Sequence, residues 1–197
     1  MYSRPIDPGL QVSGASVSAI LKGFGGFSLL ASRVLYDVGV GELDDAGIIQ
    51  LDETVWYPAS SFLRACARIE RELGASVVYQ AGQALAQYVP LPERRDDIEG
   101  ALRSIDVGYY LNHAMHGEPL FDVATGKMRG AIGHYAVARV SGRQLVATCD
   151  NPYPCDLARG IIEATARRSQ PTTTVVHDTK VRCRKRGGDA CHFIVQW

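Results

Sequence analysis

The rhythm of apolar and polar positions changes near residue 129. Before that point apolar residues recur at helical spacing. Residues 27–38 carry Leu29, Leu30, Val34 and Leu35 on one helical face, and Gly39 and Gly41 end the pattern. A shorter helix is predicted at 15–22, inside a first stretch rich in Gly and Pro. In "PASSFLRACARIERELG" the face is Phe62, Ala65, Cys66, Ile69 and Leu73, with Ser60 or Ser61 placed to cap the start and Gly74 to stop the end. Residues 75–88 predict another helix, closed by Pro90 and Pro92. Residues 96–113 predict the next, with an acidic first turn that suits the helix dipole.

Beyond Gly117 the period falls toward two. "AIGHYAVARV" reads as a strand with Ile132, His134, Ala136, Ala138 and Val140 on one side and Tyr135 and Val137 on the other. "SGR" turns the chain and "QLVATCD" runs back. "NPYPCDLARGIIEATARRS" is a loop leading into a helix with Leu157, Ile161 and Ala164 on its apolar face and Ile162 beside them. "TTTVVHDTKVRC" and "ACHFIVQW" are two further strands joined by "RKRGGD". The pattern predicts an α+β fold: N-terminal helices packed on a small antiparallel sheet of two β-hairpins with an intervening helix. The expected organisation is a single domain, 1–197, with a mainly helical half at 1–128 for ligand and dimer contacts and a ββαββ half at 129–197.

Composition narrows the function classes. The 197 residues balance 21 Lys and Arg against 21 Asp and Glu, so net charge suggests neither nucleic acid nor an anionic membrane as partner. With 46% apolar residues the chain can bury a core without metal or disulfide. No leader-like start and no long apolar run are seen, so a cytoplasmic protein without a membrane span is expected. Five cysteines do not form a disulfide framework. In a hairpin centred near Gly187, Cys183 and Cys191 would be cross-strand neighbours facing inward, and Cys155 would sit at a helix N-terminus beside them. The residues alone leave three readings open: zinc, buried core thiols, and a disulfide or reactive thiol.

The pattern Asn151-Pro152, Cys155, Gly160, Cys183, Gly188-Asp189, Cys191, Phe193, Ile194 and Trp197 resembles the C-terminal signature of 4-vinyl-reductase-type (V4R) domains. That family includes the sensory domains of phenol-responsive activators and is akin to haem–nitric-oxide domains and transport-particle subunits. The resemblance covers about residues 130–197. It implies a structural zinc held by Cys155, Cys183 and Cys191 with a carboxylate three positions before the second cysteine. That position is Lys180 here, so Cys149 is the preferred fourth ligand, ahead of His177, Asp178 and His192. It also implies a homodimer through N-terminal helices, and a separate protein partner for output.

Other chemistry is sparse. His113 and His116 lie at i, i+3 where a helix end is expected, and the Tyr-x-Ser-x-Arg motif of related haem domains is missing. Trp56, Tyr109, Tyr110, His113 and His134 are the candidate lining of a pocket for a small apolar or aromatic ligand. "GFGGF" lacks the Lys-Ser/Thr of a phosphate loop and reads as a hinge, while "RCRKR" reads as a solvated basic turn. Cys66 is expected in the core. No Gly-x-Ser-x-Gly, HExxH or nicotinamide fingerprint occurs. The expected function is a small-molecule sensor or carrier rather than an enzyme. The alternatives are a transport-particle-type scaffold and an accessory factor in tetrapyrrole metabolism.

Overall fold

The computed structural model describes residues 6–88 and 97–197. The expected stop at Pro90 and Pro92 and the helix start at 96 lie outside the described residues. Six helices are present: α1 (Gly14–Gly23), α2 (Ser28–Asp37), α3 (Ala59–Leu73), α4 (Ala75–Tyr88), α5 (Ile98–Leu111) and α6 (Cys155–Ser169). The strands of the first half are β1 (Leu10–Ser13), β2 (Glu42–Leu43), β3 (Ile49–Gln50), β4 (Trp56–Pro58), β5 (His113–Met115), β6 (Glu118–Pro119), β7 (Phe121–Asp122) and β8 (Lys127–Met128). The second half adds β9 (Tyr135–Ser141), β10 (Gln144–Cys149), β11 (Thr174–His177) and β12 (Cys191–Gln196). The fold is mixed α+β, and its main sheet is antiparallel in the order β11-β12-β10-β9.

A second sheet, β4-β1-β5-β6, occupies stretches expected to be loop or helix. It corrects the boundary of α5. That helix is capped by Asp97, whose carboxylate accepts from Gly100 N, and it ends at Leu111. His113 then pairs with Val12 of β1 instead of continuing the helix. The unpaired edge of β1 competes for this backbone, and ladder hydrogen bonds replace a last helical turn. His116 takes a left-handed φ of 51° in the following turn, so the two histidines do not share a helical face. The same sheet explains why neither Ser60 nor Ser61 caps α3. β4 runs straight into that helix, and Pro58 occupies the N-cap. The "GFGGF" stretch is a bend of 110° between α1 and the segment running into α2.

The core lies between the helices and the inner face of the main sheet. Alternation puts Leu145, Ala147, Phe193 and Val195 inward with Tyr135 and Val137. Leu157, Ala158 and Ile162 of α6 pack over them. α4 crosses α6 on two glycines. A Cβ on Gly82 would stand 2.2 Å from Leu157 O, and one on Gly160 would stand 2.1 Å from Tyr79 O. Only backbone-to-backbone contact fits there, which fixes where α6 starts relative to the sheet.

β11 stops at His177. Asp178 N donates to His192 O, the Asp178 carboxylate accepts from Lys180 N, and the chain leaves the sheet. A loop and a short 3-10 turn at Arg184–Arg186 return it to β12. The expected cross-strand pairing of Cys183 with Cys191 is therefore corrected: the partner of Cys191 in the ladder is Cys149. Among the described residues no single helix is long and apolar enough to cross a membrane.

Candidate functional site

Where α1, α3, α4, α5 and α6 meet the sheet, they leave an apolar cavity of about 70 Å³. Ile20, Phe62, Ile105, Leu157 and Ile161 supply most of its wall, and Ser16, Tyr109, Asn112, His113, Tyr135 and Tyr153 bring the polar side chains. His113 is buried, and its Nδ1 lies 2.7 Å from Tyr109 O. A carbonyl only accepts, so Nδ1 carries the proton, and Nε2 accepts from the Tyr153 hydroxyl at 2.6 Å. Burial pushes the His113 imidazolium down to about 4, so the ring is neutral near pH 7. Burial likewise raises the phenols of Tyr109 and Tyr153. Tyr109 spends its hydroxyl on Ile132 O at 2.8 Å. The wall is thus largely apolar with one neutral, mutually satisfied histidine–tyrosine pair.

Tyr153 also touches a second cluster. Its carbonyl accepts from Arg184 Nη2 at 2.9 Å, and Arg184 is buried. Beside it Cys155, His177, Cys183 and Cys191 bring one ligand atom each to within 4.8 Å of one another. Cys155 opens α6, Cys191 opens β12, Cys183 arrives from the loop, and His177 ends β11 with its ring stacked on Phe193. Cys155 and Cys191 Sγ atoms lie 3.0 Å apart. That hydrogen bond, with the nearby Arg184 guanidinium, holds the Cys191 thiol well below the usual thiol range. Burial instead raises the Cys149 thiol.

The expected residues thus divide. Tyr109 and His113 line the cavity; Trp56, Tyr110 and His134 do not. Trp56 pairs with Ser13 in the first sheet. Tyr110 is buried with its hydroxyl 3.3 Å from His134 Nε2, and His134 Nδ1 faces Asp106 at 3.0 Å on the outside. Cys66 is buried, and burial pushes its thiol up to about 12. Cys149, the preferred fourth ligand, lies outside the four-donor group, and His177 takes that place because β11 breaks directly after it. Tyr153 and Arg184 were missed. The available signal for Tyr153 was its place inside "NPYPC", flanked by two prolines that limit where its side chain points.

No family model matches the chain, and no curated protein does. The V4R resemblance therefore rests on its motif residues alone. Solved structures do share the fold. An H-NOX protein from S. oneidensis in the Fe(II)NO ligation state aligns with a TM-score of 0.64 at 16% identity, over 93% of this chain and 98% of that one. An oxygen-binding H-NOX domain related to soluble guanylate cyclases gives 0.61 at 13%, over 93% and 94%. An Fe(II) unliganded H-NOX mutant from K. algicida gives 0.58 at 12%, over 93% and 95%. At these identities the likeness establishes the fold.

These neighbours correct the cofactor expectation. Two of them are named for iron in its ligation states, and a related one for haem, so structural zinc is not carried over to this chain. Haem itself does not fit the cavity of this chain. An engineered cavity of about 150 Å³ takes benzene, so about 70 Å³ is far short of a porphyrin. Both ring nitrogens of His113 are engaged, and among the described residues the lining includes no Lys or Arg to receive carboxylates.

Proposed function

We propose that this chain is a ligand-binding sensor or carrier domain whose cavity, less than half the volume that holds benzene as it stands, widens at the His113–Tyr153 bond to take a small apolar or aromatic molecule with one uncharged polar group. The observation that carries this reading is the buried His113–Tyr153 pair set in a largely apolar wall. A ligand hydroxyl or amide could exchange for that bond without leaving an unpaired buried group, whereas a charged ligand would meet no counter-ion there. Tyr109, His113, Tyr135 and Tyr153 would orient it, while Phe62, Ile105 and Leu157 would exclude water. The H-NOX neighbours support a sensing role, since an oxygen-binding domain related to soluble guanylate cyclases shares the fold. The V4R-like motif supports an aromatic ligand, and it is the sole basis for proposing a homodimer. A cavity of about 70 Å³, below the usual ligand-pocket range of about 300–1,000 Å³, is what the scaffold alternative expects, while nothing in its lining favours the tetrapyrrole alternative.

The test is calorimetric titration and thermal shift with small phenols, arenes and uncharged amides, alongside haem reconstitution followed by absorption. The expected result is saturable binding by a neutral compound, weakened about tenfold or more by Tyr153→Phe. Stoichiometric haem uptake, or no binder at millimolar concentration, would overturn the reading.

A further inference from the structure

A second concavity lies on the other side of the wall that holds Tyr153. It is a groove of about 780 Å³ running along α3, between that helix and the segment Pro152–Pro154. Ser60, Leu63, Arg64, Ala67 and Arg71 form one stripe of α3 at helical spacing, and Pro152, Pro154 and Lys185 stand opposite. Its floor is apolar and its charge is positive. Lys185 is matched by Glu70 and by Asp156 at 2.9 Å. Arg64 donates to the neutral Ser61 hydroxyl, and neither Arg64 nor Arg71 forms an ion pair with another described residue. Among the described residues that line the groove the one carboxylate, Glu70, is the one Lys185 already holds. The two guanidinium groups are seven residues apart, about two helical turns or roughly 10 Å.

We infer that this groove docks an acidic, amphipathic helical segment of a partner protein. Its apolar side would lie on Leu63, Ala67, Pro152 and Pro154, and carboxylates two turns apart would meet Arg64 and Arg71. A second copy of this chain complements the groove poorly. The exposed apolar helix it could offer, α2, carries Arg33, and the carboxylate of that helix, Asp37, is held by Arg33 and Arg68. The location gives the groove a role in output, and this part rests on the function proposed above. Pro152 and Pro154 face the groove while Tyr153 between them faces the cavity, and on α3 Phe62 faces the cavity while Leu63 faces the groove. A ligand that displaces the Tyr153 hydroxyl therefore moves a groove wall.

The test uses two fluorescent helical peptides, each with Leu on one face, bearing either Glu or Lys residues two turns apart. Anisotropy is read with the wild-type chain and with Arg64→Glu/Arg71→Glu. The wild type is expected to prefer the Glu peptide by about tenfold or more, and the reversed chain to prefer the Lys peptide. Equal binding of both peptides, or no change on charge reversal, would overturn the inference. So would a sedimenting dimer that the same double variant dissolves, since the occupant would then be a second copy. Neither arginine lines the cavity, so cavity-ligand binding measured on the same double variant reports separately on the sensor reading. Loss of one result with retention of the other shows which proposal has failed.

Discussion

Two buried polar sites sit on either side of Tyr153, and they meet the cost of burial in opposite ways. At the cavity the groups are neutral. His113 gives up its charge, and its two nitrogens are satisfied by a carbonyl and a phenol. At the thiol cluster the charge is kept. Arg184 remains cationic, and the Cys191 thiol ionises readily beside it and Cys155. The difference follows from what each site has available. Among the described residues no cation lines the cavity, so a charge there would be uncompensated, whereas the cluster combines a guanidinium with a helix N-terminus. A neutral site can exchange its hydrogen bonds with an uncharged ligand at low cost. An ionic one resists such exchange, which is why we place ligand recognition at the first and architectural support at the second.

The largest effect is expected from breaking the ionic side. Arg184→Met should cost about 3–5 kcal/mol at neutral pH, as removal of one partner of a buried charge pair does. Denaturant unfolding measures the loss, and ultraviolet thiolate absorbance should show the Cys191 transition moving to higher pH. A loss under about 1 kcal/mol would mean that the guanidinium does not support the cluster.

The neutral side should respond to acid. His113 titrates near 6.5 when unfolded and at about 4 when folded, so between those values the unfolded chain binds the extra proton. Stability is complete above pH 6.5 and falls as pH drops toward 4, by about 3 kcal/mol for this group. Thermal unfolding across that range should show a slope that His113→Phe flattens. An unchanged slope in the variant would assign the acid sensitivity elsewhere.

Tyr153→Phe separates the two sites. It leaves the Arg184 bond to the Tyr153 carbonyl in place and strands a buried acceptor on His113, for about 1–3 kcal/mol. Thiol titration should be unaltered; if it shifts, the sites are not independent. The smallest effect is expected at His134. Its ring is half exposed against Asp106, so His134→Ala should change unfolding free energy by less than about 1 kcal/mol. A drop of twice that would place His134 and Tyr110 in the support of the cavity after all.

Helix periodicity in the sequence determined α1 to α6 to within a few residues, because each buries one stripe and the spacing records it. Period-two alternation likewise separated the two faces of β9 and determined the inward face of β12, and with it the inward thiol of Cys191. Convergence of Cys155, Cys183 and Cys191 was legible from the apolar face and the helix start. The tertiary structure alone decided the rest. The first sheet joins Leu10–Ser13 to His113–Met115 through backbone hydrogen bonds about a hundred residues apart, which leave no side-chain pattern. That pairing ended α5 early and moved His113 from the expected last turn of a helix onto a strand, where it is buried in the cavity wall. The chain leaves the sheet after His177 while β12 continues to Cys191, and this break brought in a fourth donor that straight-strand geometry had excluded. Tyr153 became the link between cavity, cluster and groove only because Gly82 and Gly160 let α4 and α6 approach to backbone contact and set the start of α6 in place.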